Sequence, residues 1–534
     1  MLTSAADDLS SGYREVRAEL GEAFRSGATR SLRWRAAQLE ALKQALVEQE
    51  RAIIAALADD LGKSAEESQL TELQPALQEL ALALGNLKLW AGPRTVEPCL
   101  APKYLAPWFW LQRVWRAVLP RVLGGGNPPV ASYGGVALAT ILERRWVVPE
   151  PLGVVLIITA WNYPLLLAIW HMTSAIAAGN CVVLKPSERA PATAKLLAEL
   201  VRTYLDARCI RVVLGDASTV RRLLHLDTEC PADVAFRVWA QQRPFDAVHF
   251  TGGWRIGREV ARACAAYLIP CTLELGGKNP LVVDCASLSE RDLARVARTT
   301  AWAKLLNVGQ TCIAPDYVVL CGADRAQEAF FIEELWKSIE AFYGRPVENS
   351  TTFPRIVSKA HTARLAGLLQ QSRGEVVFGG THRENDCFFT PTIVRNVTLD
   401  DALMAEEIFG PILVVLQPCA DTEQALEVIG SLPSPLVVYL MSRDAAVVQR
   451  FERASTSGSL VVNDLLGQVI SPGLPFGGVG ASGYGKSKGQ AGFDAFSNLK
   501  SVLCKPIWIE RIASDRYHPL TATKISRFRR LIAL

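Results

Sequence analysis

The sequence predicts an α/β protein with two open units, each a largely parallel sheet flanked by helices, and three observations predict it. From Val147 onward, short unbroken apolar runs recur: GVVLIIT, CVVLKPS, IRVVLG and DAVHFTG, then, after Leu275, PLVVD, DYVVLC, EVVFGG, LVVYL and GSLVVND. Runs this continuous suit strands buried on both faces, as in parallel sheets. Helical patterns lie between them and supply the crossovers that parallel strands need. A chain of 534 residues is also too long for one hydrophobic core.

The N-terminal hundred residues follow another period. Leu39, Leu42, Leu46, Ile53, Leu57 and Leu61 fall at helical spacing between charged positions, with Gly27 and Gly62 as stops. One stretch fits neither pattern. Residues 105–123, LAPWFWLQRVWRAVLPRVL, combine Trp108, Trp110 and Trp115 with Arg113, Arg116 and Arg121 and carry no acid. A helix from Trp108 to Leu119 would place positions 108, 111, 115 and 118 on one face, between Pro107 and Pro120. That composition suits peripheral contact with an anionic membrane; packing on its own domain or on a neighbouring subunit is the competing use.

Composition narrows the function classes. Half of the residues are hydrophobic and 21% are charged, an ordinary globular balance. A net charge of +4 gives no pointer to nucleic acid. The 12 cysteines include no CxxC pair and no zinc-type spacing, which fits a reducing compartment and a cytoplasmic location. The opening MLTSAADDLSSGY has no basic n-region and no apolar h-region, so no signal peptide is expected. The longest apolar run, Pro151 to Ile169, is broken by Asn162 and Pro164 and is not a membrane span.

Near the C-terminus, GGVGASGYGKS (Gly477 to Ser487) satisfies both GxxxxGK[ST] and GxGxxG. Either motif binds phosphate only between a buried strand and a following helix. SPGLP stands where the strand should be, and no helix of good propensity is expected after Ser487, so the match is read as a decoy.

Four segments carry candidate chemistry. GQTC ends at Cys312, in a Gly-bearing turn between the helical pattern Leu288–Lys304 and the strand DYVVLC. An exposed cysteine there is a nucleophile, whereas buried structural cysteine is the default use. LELGGKNP puts Glu274 in an apolar run, where desolvation is expected to raise its pKa toward the general-base range; a salt-bridged glutamate is the plainer alternative. TAWNYP places Asn162 after the most apolar strand, as an oxyanion donor or as a helix cap or Asx-turn. CVVLKPSE ends a strand with Lys185 and Glu188, placed for ribose hydroxyls or simply in a polar loop.

TAWNYP, AAGNCVVLKPSE, HFTGGWRIG, LELGGK, GQTCIAPDYV, EEIFGP and SPGLPFGGVGASGYG occur in this order. Together they resemble the aldehyde dehydrogenase superfamily over roughly residues 12–520. The nearest likeness is to its class 3, fatty-aldehyde-like branch, as GQTCIAPDYV, FYG and SLPSPLVVYLMS suggest. The resemblance implies a Rossmann-like NAD(P)-binding domain (1–98 and 146–271) and a catalytic domain (272–466). It also implies a small bridging or oligomerisation β element (99–145 and 467–510, with an insertion) and a C-terminal tail (511–534). It implies oxidation of a medium- or long-chain aliphatic or aromatic aldehyde to the carboxylate, a homodimer, and NAD as cofactor, with NADP admitted. By the same resemblance Cys312 is the nucleophile, Asn162 and the Cys312 N–H form the oxyanion hole, and Glu274 activates water. Lys185, Glu188, Gly252, Gly257 and Trp161 match cofactor contacts, and Glu407 and Phe409 hold the nicotinamide end. No metal is implied.

Two other functions share the motifs. A CoA-acylating enzyme would pass the thioester to a thiol, but the LELGGK glutamate argues for water. A non-catalytic or membrane-recruited homologue would keep only the fold. Three departures from the family pattern stand out: FTGGWRIG, where Gly253 lacks a hydroxyl and Trp254 is expected to add bulk; the lengthened Leu223–Gln241 connection; and the long Cys99–Leu142 link.

Overall fold

The computed structural model describes residues 4–96, 144–225, 243–508 and 516–526. The 105–123 stretch and most of the Leu223–Gln241 connection lie outside them. By its contacts the chain forms two units, Met1–Trp90 with Pro151–Ser497, and Ala91–Glu150 with Asn498–Leu534. In the smaller unit, Arg94–Thr95 pairs antiparallel with Arg144–Pro151 within a three-stranded sheet.

The larger unit holds both main sheets. The six-stranded one runs, edge to edge, Gly483–Tyr484, Cys271–Leu275, Ala247–Gly252, Val154–Ile158, Cys181–Lys185, Ile210–Val212. All its neighbours are parallel except Gly483–Tyr484, which lies antiparallel to Cys271–Leu275. The winding order, not the strand direction, switches at Val154–Ile158: Cys181–Lys185 joins it on one side and Ala247–Gly252, parallel as well, on the other. The loops leaving those two strands therefore diverge and open a crevice at the carboxyl edge, where open α/β sheets bind ligands.

The seven-stranded sheet runs Glu375–Phe378, Thr392–Val397, Ile412–Leu416, Tyr317–Cys321, Pro280–Asp284, Val437–Met441, Ser459–Val462. Only the edge strand Glu375–Phe378 is antiparallel to its neighbour. Every residue of the four central strands is buried, as their unbroken apolar runs require. Thr392–Val397 and Ile412–Leu416 add to the strands expected from sequence. The first is interrupted by Arg395 and Asn396, and the second is an apolar run that follows Gly410–Pro411 directly.

The expected N-terminal helices form as Leu32–Glu48 and Glu50–Leu61, burying Leu39, Leu42, Leu46, Ile53, Leu57 and Leu61. Gly62 ends the second in the left-handed conformation at φ 64°, where a side chain is disfavoured. Next comes a single π-turn, Gln69–Leu73, which points Glu72 inward. Its Oε2 accepts the N–H groups of Leu165 (3.1 Å) and Leu166 (2.9 Å), the first turn of the Pro164–Ala178 helix. That helix has no side-chain cap of its own, so a distant carboxylate satisfies its orphan donors and meets its positive end. Lys63 completes the arrangement, with Nζ 2.7 Å from Glu72 Oε1 and both side chains fully buried.

The decoy reading of GGVGASGYGKS needs one correction. A helix does follow Ser487, Gly489–Ala495, despite its poor propensity. Tertiary contacts create it: the Gly489 N–H donates to Glu79 Oε1 (2.7 Å), and a Cβ on Gly492 would lie 2.4 Å from Ser174 Oγ. No buried strand leads into the motif, and Lys486 donates to the Gly458 and Gly477 carbonyls.

Lys63→Met is expected to destabilise the protein by about 3–5 kcal/mol, because it leaves the Glu72 charge buried without its partner. Denaturant unfolding measures this, and a loss below about 1 kcal/mol would show that the pair is not structural.

Candidate active site

Cys312 owes its position to an unusual turn. The Glu290–Leu305 helix starts on a Ser289/Asp292 capping box and gives way to three left-handed residues: Asn307 (φ 50°), Val308 (φ 52°) and Gly309 (φ 78°). At Gly309 a Cβ would lie 2.3 Å from the Gly410 carbonyl oxygen, so only glycine fits. Buried Gln310 braces the turn: its amide donates to Asn307 O and Arg355 O and accepts from the Val357 N–H (2.8 Å). Beyond it, Asn279 Nδ2 donates to Cys312 O (2.8 Å) and Ala314 O (3.1 Å), and the Tyr439 hydroxyl donates to Ile313 O (2.7 Å). Cys312 is left half-buried, its thiol pushed well above its ordinary pKa by burial and then by the Glu407 and Glu274 carboxyls. It rests protonated at neutral pH.

Asn162 comes to the same turn. Its Nδ2 donates to Gln310 O at 3.0 Å, two residues before Cys312. It caps no helix, since Tyr163 holds the N-cap position. Lys63 Nζ (3.3 Å) and Asn307 Nδ2 (2.7 Å) both donate to its backbone carbonyl and fix the peptide.

Glu274 sits on the Cys271–Leu275 strand, opposite Thr251 on one side and Gly483 on the other. The expected rise in its pKa is overturned. Burial does push it up, but the His171 and His249 imidazoles and the Ser487 hydroxyl outweigh this and hold it at about 2. Ser487 Oγ donates to Oε1, while His171 Nε2 and His249 Nε2 stand 3.5 and 3.7 Å from Oε2. His171 is itself pushed down to about 3 by burial and by His249, so it is neutral at physiological pH. The raised carboxyl is Glu407, taken to about 8 by burial and by Asp316. It packs on the LELGGK turn so closely that a Cβ on Gly276 would lie 2.1 Å from its Oε2.

The residues expected to hold cofactor lie on or just beyond the carboxyl edge of the six-stranded sheet. Lys185 Nζ is 2.6 Å from Glu188 Oε2, and although burial raises it, this ammonium holds the Glu188 carboxyl below its ordinary value. A Cβ on Gly252 would lie 2.6 Å from Phe250, and one on Gly257 2.7 Å from Leu275, so both glycines admit close backbone packing at the crevice. The Trp254–Ala266 helix begins there with no side-chain cap, its N–H groups suited to a pyrophosphate. Trp254 does not fill the turn as expected. It is 56% exposed, with the Arg255 guanidinium 5.4 Å from its ring. Trp161 packs edge-on against Phe409 at 5.3 Å, which joins TAWNYP to the EEIFGP loop. Arg364 secures that loop by donating to Glu406, Glu407 O and Ile408 O. These groups fit a dinucleotide.

Sequence reasoning missed Lys63, Glu72, Asn279, Gln310, His171, His249 and Ser487. The two histidines had a signal, since each is a lone polar residue inside an apolar run, LLLAIWHM and AVHF. Ser487 was set aside with the phosphate-loop decoy.

A doubly wound sheet with a dinucleotide crevice, beside a cysteine, an amide and two carboxyl groups, defines an oxidoreductase that takes a nicotinamide cofactor. The model of the aldehyde dehydrogenase family matches residues 139–502, and the chain belongs to that family. It oxidises aldehydes with NAD(P). Aldehyde dehydrogenase family 3 member B1 of Rattus norvegicus is 37% identical over 507 residues, 95% of this chain and 94% of the relative. Family 3 member A2 of Mus musculus is 36% identical over 507 residues, 95% of this chain and 91% of the relative. The substrate-bound state of Staphylococcus aureus AldH superposes with a TM-score of 0.80 at 32% identity, covering 97% of this chain and 99% of that one.

Glu407 yields a pH prediction. Its folded value of about 8 exceeds the ordinary 4.5, so the folded protein binds the extra proton. The stability this carboxyl contributes is greatest below about pH 4.5 and falls as pH rises through about 8. Glu407→Gln removes the titration, so the melting temperature of the variant relative to wild type is expected to climb from pH 5 to 8 and then level off. A difference that stays flat with pH would show that Glu407 is ionised throughout.

Proposed function

We propose that Cys312 attacks the carbonyl of a medium- or long-chain aliphatic or aromatic aldehyde, and that the acyl group is then released to water as the carboxylate. What supports this reading is that Asn162 donates to Gln310 O, two residues before Cys312, and that the Glu407 and Glu274 carboxyls lie near enough to raise the Cys312 thiol. As the thiol passes its proton to solvent water, sulfur bonds to the carbonyl carbon, the C=O π pair moves to oxygen, and the oxygen becomes an oxyanion. The Cys312 backbone N–H and the Asn162 amide stabilise that oxygen. A nicotinamide held by Glu407 and Phe409 would supply the hydride acceptor, so that collapse of the oxyanion leaves an acyl thioester on Cys312. A carboxylate then takes a proton from water, the hydroxide adds to the thioester, and the acid departs as sulfur regains a proton.

Glu274 is the base in this reading, with Ser487 donating to its Oε1. Glu407 provides a second reading, because its value near neutrality matches what a general base requires. Pre-steady-state kinetics separate the two. Cys312→Ala is expected to form no NAD(P)H. Glu274→Gln is expected to give a burst of about one equivalent per site followed by turnover slowed about 10²-fold or more. Wild-type turnover in Glu274→Gln, with the stalled burst in Glu407→Gln instead, would move the base to Glu407.

We further propose a homodimer that docks peripherally on anionic membranes through 105–123, supported by the tryptophans and arginines of that stretch. No helix among the described residues is long and apolar enough to cross a membrane. Light scattering is expected to give twice the chain mass, and anionic liposomes to float the intact protein but not one lacking 105–123. A monomer, or intact protein that stays soluble at low salt, overturns the respective half.

A further inference from the structure

We propose that His171, His249 and Glu274 form a buried site for zinc(II), and that its occupation withdraws Glu274 from catalysis. The second half rests on the reading of Glu274 as the base; the first does not.

Three separate segments bring the donors together. His171 comes from the Pro164–Ala178 helix, His249 from Ala247–Gly252 and Glu274 from the adjacent parallel strand. In that pairing His249 lies opposite Thr272, so Glu274, two residues on, faces the same side of the sheet. All three are buried, and their donor atoms lie within 4.8 Å of one another.

The spacing is informative. Glu274 Oε2 is 3.5 Å from His171 Nε2 and 3.7 Å from His249 Nε2, and Thr251 Oγ1 is 3.4 Å from both Oε2 and His171 Nε2. Good hydrogen bonds are shorter, about 2.7–3.2 Å. Ligands about 2.0–2.2 Å from a shared tetrahedral ion stand roughly 3.3–3.5 Å apart. Buried His249 Nε2 and His171 Nδ1 have no hydrogen-bond partner among the described residues. Unpaired polar atoms inside a protein call for an explanation, and for His249 Nε2, which faces the carboxylate, a cation supplies it.

Two imidazoles and one carboxylate are a zinc donor set, and a water or Thr251 Oγ1 can close the tetrahedron. Ser487 already holds Oε1, which orients the carboxylate and leaves Oε2 for the ion. The two rings stack at 3.7 Å with planes inclined by 34°, so loading requires them to fan apart.

A filled site leaves Cys312 free to react but fixes the base. Zinc bound to the Cys312 thiolate instead would block the first step, so the two modes differ in the burst. The test uses the full-length protein. Equilibrium dialysis against zinc is expected to give one ion per chain in wild type and in Cys312→Ser, and none in His171→Phe or His249→Phe. Thermal unfolding and NAD binding show that the variants are folded. Cobalt(II) at the site is expected to show d–d bands without thiolate charge-transfer absorption. Zinc-loaded wild type is expected to keep its NAD(P)H burst, lose at least tenfold in steady-state turnover, and recover with chelator.

No stoichiometric binding to wild type, binding that survives both histidine substitutions, or binding lost in Cys312→Ser overturns the site and leaves the base assignment untouched. One ion per chain, dependent on the histidines, with turnover unchanged overturns the inhibition and the assignment of Glu274 together.

Discussion

Glu72 is a carboxylate with no access to solvent that serves three partners at once: the Lys63 ammonium and the first two donors of the helix that begins just after Asn162. The rest of the site depends on that constraint. Lys63 passes it to the Asn162 carbonyl, the Asn162 amide passes it to Gln310, and Gln310 braces the turn that carries Cys312. An ion pair this deeply buried is weak as a source of net stability but unforgiving of geometry, because losing either partner strands the other. It explains why a helical N-terminal segment, with no residue in the chemistry, is built into the active site.

A second economy lies in the segment from Glu274 to Asn279, which joins the last parallel strand of one sheet to the first strand of the other. Glu274 closes the first sheet's contribution, and Gly276 seats Glu407. Lys278 binds Asp316 at 2.6 Å, and Asn279 holds the Cys312 carbonyl. Six residues therefore touch both carboxyl groups and the Cys312 loop. This segment is short in sequence but central in space.

Much of this was legible beforehand. Strands buried on both faces announce themselves as unbroken apolar runs, and the motifs around Asn162, Glu274 and Cys312 mark segments that the fold brings near one another. The failures share one cause. A sequence shows that Glu274 is buried, but not that Ser487, 213 residues away, and two histidines from other elements arrive beside it, so the sign of its pKa shift came out reversed. Likewise Gly489–Ala495 is helical through what it touches rather than through its own preferences. Trp254 looked obstructive because sequence gives a residue's size and not its direction.

Gly309 and Gly410 meet backbone to backbone, with no room for a methyl group between them, and Gly410 in turn lies against Leu365. One belongs to the Cys312 turn and the other to the loop that carries Glu407 and Phe409. The Gly410 loop has little freedom, since a change in its path there is felt at the turn that carries Cys312. The two loops can change course only together.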